Sequence, residues 1–303
     1  MPTLAGMLYL TGAFSLAGTS VIAGSFVSAK LGVFTISAVS LLFALLGLVP
    51  LCAASLRATV PSLPARMWLK LFFQALFGIF LFRMFLLHGL LLTSAGEAGI
   101  LTGATPAVTA LLAWLFLQES LDKLRILGIV STVAGIVVIQ GLFHTGTEFS
   151  LEHLTGNGLV LCAALCESLF NVLSRLASVK AAKQLGQLLD PITQSTLVSA
   201  IALLLCFVPA LTEQAYTRLT VLEVGGWGAL IWYGLFVTAL AFIFWYEGIK
   251  RCNASVAAAF SGMMPFTALV LSVLFLGEQP GVRQWAGGLL VLLGMVLTGR
   301  SML

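Results

Sequence analysis

The sequence predicts an all-α integral membrane protein, with ten transmembrane helices arranged as two inverted five-helix repeats. Composition, the form of the apolar runs and an internal duplication predict it. Of the 303 residues, 60% are hydrophobic and 9% are charged, whereas a soluble domain carries about 25% charged residues. Lipid offers the backbone no hydrogen-bond partner, so spans must be helices or closed barrels. The apolar runs are long and do not alternate, which favours helices of about 20 residues each.

The chain contains one stretch twice, at a constant offset of 159 residues. Each copy has a proline within an apolar helix, then a Leu-Phe-Leu-x-Glu segment and two spaced glycines. The matched pairs are Gly103 and Gly262, Pro106 and Pro265, Glu119 and Glu278, Gly128 and Gly287, and Gly135 and Gly294. Further upstream the same register aligns Trp68 with Trp227 and Phe77 with Phe236. This register indicates a duplicated membrane protein.

Ten apolar segments define the predicted spans, numbered 1 to 10: 4–27, 32–54, 68–92, 95–117, 122–141, 157–175, 190–211, 225–248, 254–276 and 284–302. They form a first five-helix repeat at 1–143, a periplasmic linker at 144–156 and a second five-helix repeat at 157–303. Because five is odd, the repeats enter the membrane in opposite orientations. Inverted repeats are typical of secondary transporters, whose two halves rock around a midplane substrate site. We therefore expect alternating access.

Basic residues concentrate in the loops on one side of the predicted membrane, the side shared with the N-terminus. The positive-inside rule therefore predicts that both termini are cytoplasmic. The N-terminus lacks a basic n-region, so we expect the first span to be a retained helix. Because the basic residues lie in short loops between spans, we expect no nucleic-acid partner. The expected partners are a lipid bilayer and a small-molecule substrate, and the oligomeric state stays open.

We expect neither a cofactor nor a metal ion. All five cysteines fall in or beside apolar runs, and no His or Asp cluster completes a metal site, so we interpret them as packing residues. The sequence has no Walker A motif, which leaves an energy source other than ATP as the default. It also lacks His-Glu-x-x-His, Gly-x-Ser-x-Gly and paired membrane aspartates, which argues against an intramembrane enzyme.

The segments from Leu92 to Glu119 and from Ala254 to Glu278, each followed by a glycine-spaced helix, resemble the paired EamA modules of the drug/metabolite transporter (DMT) superfamily. The resemblance covers nearly the whole chain, with one EamA-like module in each repeat. It implies ten helices, a bacterial inner-membrane location and export of metabolites. It also implies a central cavity lined by spans 1, 3, 4, 6, 8 and 9. Many relatives carry an Arg in span 2, where this chain has Val39-Ser40-Leu41-Leu42-Phe43.

Two repeat-related spans carry polar stripes that indicate a midplane site. Residues spaced four apart share one helix face, and two such sets occur: Thr11, Ser15 and Thr19 in span 1, and Glu167, Asn171 and Arg175 in span 6. A charged side chain near mid-span costs about 2.5–3.5 kcal/mol on insertion scales. Glu167 should therefore face a cavity, carry a proton, or pair with Arg175 or Arg83. The alternative for the span 1 stripe is interhelical hydrogen bonding without function.

Arg83, in the outer half of span 3, is the other charge within the membrane. It could hold an anionic substrate group by bidentate hydrogen bonds, or it could pair with Glu97. Glu97 itself is expected to lie near the outer surface, where solvation would account for it. Gln74, in the same span as Arg83, is a candidate polar wall of the cavity.

Aromatic residues and prolines complete the candidate site. Span 8 is aromatic, and three of its side chains could line a cavity by stacking on an amphipathic or cationic ligand, or could simply pack: Trp232, Tyr233 and Phe236.

Pro106 and Pro265 lie within spans 4 and 9, where each should kink its helix. With Gly103 and Gly262 three residues earlier, we expect a hinge at each site. Glu119 and Glu278 should complement the dipoles of spans 5 and 10.

These features favour a secondary exporter of a small amphipathic metabolite, such as an amino acid, an amino-acid derivative or a metallophore-like compound. Glu167 would bind substrate or couple transport to protons, and Arg83 with the polar stripes would position the substrate. The alternatives are a facilitative exchanger or passive channel, an intramembrane enzyme, and a scaffold without flux.

Overall fold

A computed structural model describes residues 4–117, 122–140, 150–184, 190–251, 260 and 263–300, and the regular elements among them are helical. The first part of the chain forms α1 (Leu4–Ser28), α2 (Val33–Thr59), α3 (Ala65–Gly89), α4a (Ala95–Thr102), α4b (Thr105–Leu117) and α5 (Lys123–Gln140). The second part forms α6 (Leu151–Gln184), α7 (Pro191–Thr212), α8 (Val224–Ile231, Trp232–Leu240 and Ala241–Arg251), α9 (Met263–Leu276) and α10 (Val282–Arg300).

Six described helical stretches are long and apolar enough to cross a membrane: Leu4–Ser28, Val33–Ser62, Ala65–Gly89, Leu151–Phe170, Ile192–Thr212 and Val224–Trp245. Their outer faces carry large apolar side chains, among them Leu46 at 64% exposure and Leu204 at 69%. Apolar surface on this scale is rare on soluble monomers. The chain is therefore a multi-pass membrane protein.

The described helices differ from the predicted spans mainly at α4 and at α6, and α6 ends at Gln184 rather than at 175. The predicted span 95–117 is divided, because Gly103 and Ala104 separate α4a from α4b. This interruption lies just before Pro106, whose ring cannot continue a regular helix from the preceding turn. α6 begins at Leu151 rather than at 157, so the end of the predicted linker 144–156 is helical. Gly262 lies outside the described residues.

Two helices contain wide π-helical turns at related positions. These are Leu76–Leu81 in α3 and Trp232–Leu240 in α8. Adding the repeat offset of 159 to the first range gives 235–240, which falls inside the second. π-Helical turns are rare and frequently occur at functional sites.

Glycines bring α5 and α10 into close antiparallel contact. A Cβ added to Gly128 would lie 2.7 Å from the Gly294 carbonyl oxygen, and one added to Gly135 would lie 2.6 Å from that of Gly287. Between these pairs, Ser131 Oγ donates a hydrogen bond of 2.7 Å to the carbonyl oxygen of Leu290, which lies 159 residues further along the chain. The repeat offset converts the first glycine pair into the second, because adding 159 to position 128 gives 287 and subtracting 159 from position 294 gives 135. Small residues allow such backbone approach between membrane helices.

The N-terminus of α4a is capped by two side chains. Ser94 Oγ accepts a hydrogen bond from Glu97 N at 3.2 Å, and the Glu278 carboxylate accepts one each from Ala95 N and Gly96 N at 2.8 Å. Gly277, with a φ of 66°, ends α9 in the left-handed conformation just before Glu278. The prediction that Glu278 complements the dipole of α10 is therefore wrong, because its carboxylate binds the start of α4a. Glu119 lies outside the described residues.

The largest buried apolar cluster joins helices from both parts of the chain. It includes fully buried side chains from five helices: Val21, Leu87, Ile100, Leu230 and Val291. Burying such side chains against one another, rather than against mobile lipid, gains dispersion contacts through close packing. This cluster holds the polar residues described next in a fixed arrangement.

Candidate functional site

Glu167 of α6 contacts the interruption in α4. Its Oε2 lies 2.9 Å from Oγ1 of Thr105, the first residue of α4b. The next residue, Ser168, shares its hydroxyl hydrogen between the Thr105 carbonyl oxygen at 3.0 Å and the Ala164 carbonyl oxygen at 2.7 Å. The predicted ion pair between Glu167 and Arg83 is not formed, since Glu167 binds a hydroxyl group instead. The side chains of Arg175 and Asn171 lie outside the described part of α6.

The Thr105 hydroxyl group has one hydrogen to donate and lies within hydrogen-bond distance of two acceptor oxygens. Its Oγ1 also lies 2.9 Å from the Thr102 carbonyl oxygen, across the interruption. If Glu167 is ionised, Thr105 must choose between the carboxylate and that carbonyl group, because a hydroxyl donates only once. If Glu167 is protonated, its O–H can donate to Thr105, which then donates to Thr102. A proton on Glu167 therefore frees the Thr105 hydrogen for the bond that spans the break in α4, whereas an ionised Glu167 competes for it.

Arg83 of α3 is surrounded by the neutral side chains of Ser40, Tyr233 and Thr238. We call these four residues the Arg83 cluster. Arg83 is 5% exposed. Its Nη1 donates to Ser40 Oγ at 2.8 Å and its Nη2 donates to Thr238 Oγ1. The guanidinium carbon lies 4.5 Å from the centre of the Tyr233 ring, a cation–π contact. Residues of α2, α3 and α8 thus surround one buried cation.

The alternative pairing of Arg83 with Glu97 is wrong, because each has other partners. Glu97 is only 3% exposed, so the expectation that solvent accounts for it is also wrong. Its Oε2 lies 2.7 Å from His153 Nε2 and accepts from Asn157 Nδ2 at 3.1 Å, while its Oε1 accepts from Gln284 Nε2 at 2.8 Å. These donors, from the first two turns of α6 and the first turn of α10, stabilise the buried carboxylate.

One residue of the polar stripe in span 1, Thr19, contacts one of the predicted aromatic residues, Trp232. Trp232 Nε1 donates to Thr19 Oγ1 at 2.8 Å, and the Trp232 ring stacks on Phe236 with centres 4.4 Å apart. Ser15 lies partly buried on α1, and Thr11 bonds to the backbone of its own helix. Tyr233 points elsewhere, since it is 2% exposed and belongs to the Arg83 cluster. Thr19, Trp232 and Phe236 therefore form a second group of candidate residues.

Gln74 is buried away from both groups. Its Oε1 accepts a hydrogen bond of 2.9 Å from Gln194 Nε2 of α7, and Gln74 also lines a shallow pocket with Phe73 and Leu173. Of the predicted hinge residues, Gly103 lies at the observed interruption, Pro106 is the second residue of the helix after it, and Pro265 lies in the first turn of α9.

A small cavity lies one helical turn from the Arg83 cluster. Its lining comes from α3, α6, α7 and α8 and comprises Ile79, Phe170, Ser195, Val198, Ser199 and Phe242. Ile79 precedes Arg83 by four residues, and Phe242 follows Thr238 by four. The Ser195 Oγ atom in this lining is buried and has no hydrogen-bond partner.

The sequence did not reveal the hydroxyl groups that hold the charged residues. Ser40, Thr105, Ser168 and Thr238 are short polar side chains in apolar spans, where such residues also bond to their own helix backbone. A signal existed only for Thr105, because it adjoins Pro106 at the predicted kink. Ser40 and Thr238 acquire their role from Arg83, 43 and 155 residues away.

Comparison with known proteins identifies the class to which this fold belongs. The EamA-like transporter family model matches residues 4–141 and 154–300. The two matches cover nearly the whole chain, so the protein belongs to the EamA-like transporter family, within the drug/metabolite transporters.

Individual relatives agree with this assignment. The uncharacterized transporter YetK of Bacillus subtilis is 31% identical over 95% of this chain and 85% of its own length. A probable terminal-alkyne amino-acid exporter of Streptantibioticus cattleyicolor is 25% identical over 69% of this chain and 65% of its own. One solved crystal structure matches 98% of both chains with a TM-score of 0.64 at 20% identity, which shows a shared fold.

Proposed function

We propose that this protein is a secondary transporter that exports a small amphipathic metabolite across the bacterial inner membrane by alternating access. Ten spans would form two inverted repeats, 1–143 and 157–303, with both termini in the cytoplasm. The substrate would be an amino acid, an amino-acid derivative or a metallophore-like compound. The Streptantibioticus relative is named a probable terminal-alkyne amino-acid exporter, which supports this substrate class and direction.

The contacts between α5 and α10 support the inverted repeat. The glycine pairs Gly128–Gly294 and Gly135–Gly287 exchange under the repeat offset, as a two-fold axis between the helices requires. The wide turns of α3 and α8 obey the same offset. Two halves with equivalent contacts can each adopt the conformation of the other, which is the basis of alternating access.

The observation that carries the proposal is the contact of Glu167 with the interrupted helix α4. A carboxylate within a membrane bundle marks an ion or substrate pathway by default. Here a proton on Glu167 would leave the Thr105 hydrogen to Thr102, whereas the ionised carboxylate would compete for it. Proton binding and bending of α4 would therefore be coupled, with Gly103 and Pro106 as the hinge. Thr19, Trp232 and Phe236 would contact the substrate beside α1, and Ser15 and Asn171 would extend the two polar stripes.

Uptake of a metabolite panel into proteoliposomes, with and without a pH gradient, tests this function. We expect accumulation of at least one metabolite to depend on the gradient and to be lost in Glu167→Gln. Glu152→Gln is the matched control, because it makes the same change at an exposed position of α6.

The control should accumulate substrate like the wild type. Saturable flux that ignores both the gradient and the Glu167 substitution would contradict proton coupling and favour facilitative exchange. Non-saturable flux would favour a passive channel. No flux of any metabolite across the panel would contradict transport of this substrate class.

A further inference from the structure

Glu97 is a buried carboxylate that joins the two parts of the chain at one end of the bundle. It is the third residue of α4a and is 3% exposed. Its oxygens accept from Asn157 Nδ2 of α6 at 3.1 Å and from Gln284 Nε2 of α10 at 2.8 Å. His153 Nε2 of α6 lies 2.7 Å from the same carboxylate. We call these four residues the Glu97 network.

Neutral groups fix the position of this network. Thr93 Oγ1 donates to Asn157 Oδ1 at 2.5 Å, which orients the Asn157 amide so that its Nδ2 faces Glu97. Ser150 Oγ accepts from His153 N at 3.3 Å and caps the start of α6. Because these groups carry no charge, the contacts that they make do not change with pH.

His153 is the titratable partner of Glu97 among the described residues. Its side chain is 42% exposed, against 4% for Glu97, so water reaches the imidazole while the carboxylate is shielded. A neutral imidazole can donate one hydrogen bond from Nε2, whereas a protonated imidazole donates the same bond and also carries a positive charge. Histidine ordinarily changes its charge between about pH 5 and 8. The contact is therefore a neutral donor on a carboxylate at high pH and an ion pair at lower pH.

The other charged or titratable groups around the network have different surroundings. Those on the neighbouring elements are Lys30 beyond α1, His88 of α3, Glu152 of α6, Glu278 beyond α9 and Arg283 of α10. Lys30 pairs with Glu223, and Glu278 accepts from two backbone N–H groups of α4a. Glu152 is exposed and Arg283 is half-buried. Since backbone donors do not titrate, the contact between Glu97 and His153 is where pH acts on the start of α4a.

The network lies at one end of α4a, and the interruption of α4 lies at the other. α4a has 8 residues, a length of about 12 Å at 1.5 Å per residue. Beyond its far end, Thr105 contacts Glu167. A short helix that is separated from the next one by a break can tilt as a unit when its first turn is released. Water can then replace the donors of Glu97, so opening does not leave an unpaired charge.

We propose that the contact between Glu97 and His153 is a proton-dependent latch. A proton on His153 holds the start of α4a against α6 and α10, and loss of that proton loosens this end of the helix. The role of the latch in transport rests on the proposed function. In the predicted orientation the starts of α4a, α6 and α10 face the outside, so a proton arriving from there would close the outer end after the substrate has left. Glu167 would then act on the other end of the same helix.

Hydrogen–deuterium exchange of the α4a amides in the detergent-solubilised full chain tests the latch, because their protection reports how often the helix opens. Exchange is measured by mass spectrometry at two pD values, about 6 and about 8, which span the usual charge change of histidine. His153→Gln keeps a neutral donor and cannot become charged. At the lower pD we expect α4a to exchange about two- to fivefold faster in His153→Gln than in the wild type, since an ion pair with one exposed partner is partly screened.

At the higher pD the two proteins should exchange at the same rate, because both then present a neutral donor to Glu97. Comparing the variant with the wild type at the same pD cancels the pH dependence of amide exchange itself.

Two further variants separate the latch from general effects of pH. His88→Gln makes the same change at another exposed histidine, which contacts the Met84 carbonyl oxygen of its own helix, and it should exchange like the wild type at both pD values. Glu97→Gln removes the charged partner, so adding His153→Gln to it should have no further effect at the lower pD. If Glu97→Gln is not folded, the comparison of the two histidine variants still decides the test.

The outcomes separate this inference from the transport proposal. Equal exchange of α4a in His153→Gln and the wild type at the lower pD would overturn the latch. A difference of the same size at both pD values would also overturn it, because it would show a hydrogen bond that does not depend on a proton. Exchange is measured without substrate, so either result leaves the transport proposal standing. A pH-dependent latch in a protein that moves no metabolite of the panel would retain the latch and overturn the transport function.

Discussion

Replacing Gly294 with alanine should destabilise the contact between α5 and α10. The added Cβ would lie 2.5 Å from the Gly128 carbonyl oxygen, 2.8 Å from Thr132 N and 2.2 Å from Thr132 Oγ1. Two of these atoms belong to the backbone of α5. A rotamer change can therefore relieve only the third contact, and the helices must separate to accept the methyl group.

The expected cost follows from two opposing terms. Overpacking a close interface typically costs about 1–3 kcal/mol. Alanine regains up to about 1 kcal/mol over glycine in helix propensity. We therefore expect a net loss of up to about 2 kcal/mol in the free energy of unfolding. Gly135→Ala should lose a similar amount, because its Cβ would meet the Gly287 carbonyl oxygen at 2.6 Å.

The unfolding midpoint in detergent, measured for matched glycine-to-alanine variants, tests this reasoning. Gly228→Ala is the control, because no heavy atom lies within 4 Å of the position that its Cβ would occupy. We expect Gly294→Ala and Gly135→Ala to unfold at lower temperature than the wild type, and Gly228→Ala at the same or higher temperature. A midpoint of Gly294→Ala equal to that of Gly228→Ala would refute the close contact.

Two other substitutions test the polar contacts by the same measurement. Glu278→Gln should lose about 1.5–3 kcal/mol, because an amide has one oxygen for two backbone N–H groups and no charge; a midpoint equal to the wild type would contradict the cap on α4a. Trp232→Phe keeps the stacking on Phe236 but removes the donor to Thr19, with an expected loss of about 0.5–1.5 kcal/mol. Combining it with Thr19→Val should cost less than the sum of the two single losses, and strict additivity would show that the bond contributes nothing.

The helices and their environment could be predicted from the sequence because both depend on local pattern. Apolar runs of sufficient length must be helical in lipid, and the predicted spans agree with the described helices to within a few residues at most ends. A kink in this span was predicted from Pro106 and Gly103, since proline blocks a regular helix whatever surrounds it. The structure interrupts α4 at Gly103 and Ala104, and the use of this break as a hinge stays a prediction.

From the sequence, the candidate site could be predicted only as a set of residues whose charge is energetically unfavourable within the membrane. Glu167 and Arg83 stand out in any apolar span, because a charge there needs a reason. Their partners could not be predicted: Thr238 approaches Arg83 from α8, 155 residues away, and nothing in the sequence shows which residue of the neighbouring α2 faces Arg83. Glu97 was misjudged for the same reason: its donors His153 and Gln284 lie 56 and 187 residues away.

Composition and the 159-residue repeat by themselves determined a duplicated, helical membrane protein of the EamA type, because chain chemistry and internal register need no knowledge of contacts. Tertiary structure alone decided which carboxylates have protein donors, and which cation has only neutral hydrogen-bond partners among the described residues. Pairing depends on where helices cross, and the π-helical turns of α3 and α8, the second of which contains Thr238, leave no mark in the hydrophobic pattern. A charged residue within an apolar span can be recognised in the sequence, but its partner can be identified only in the folded structure.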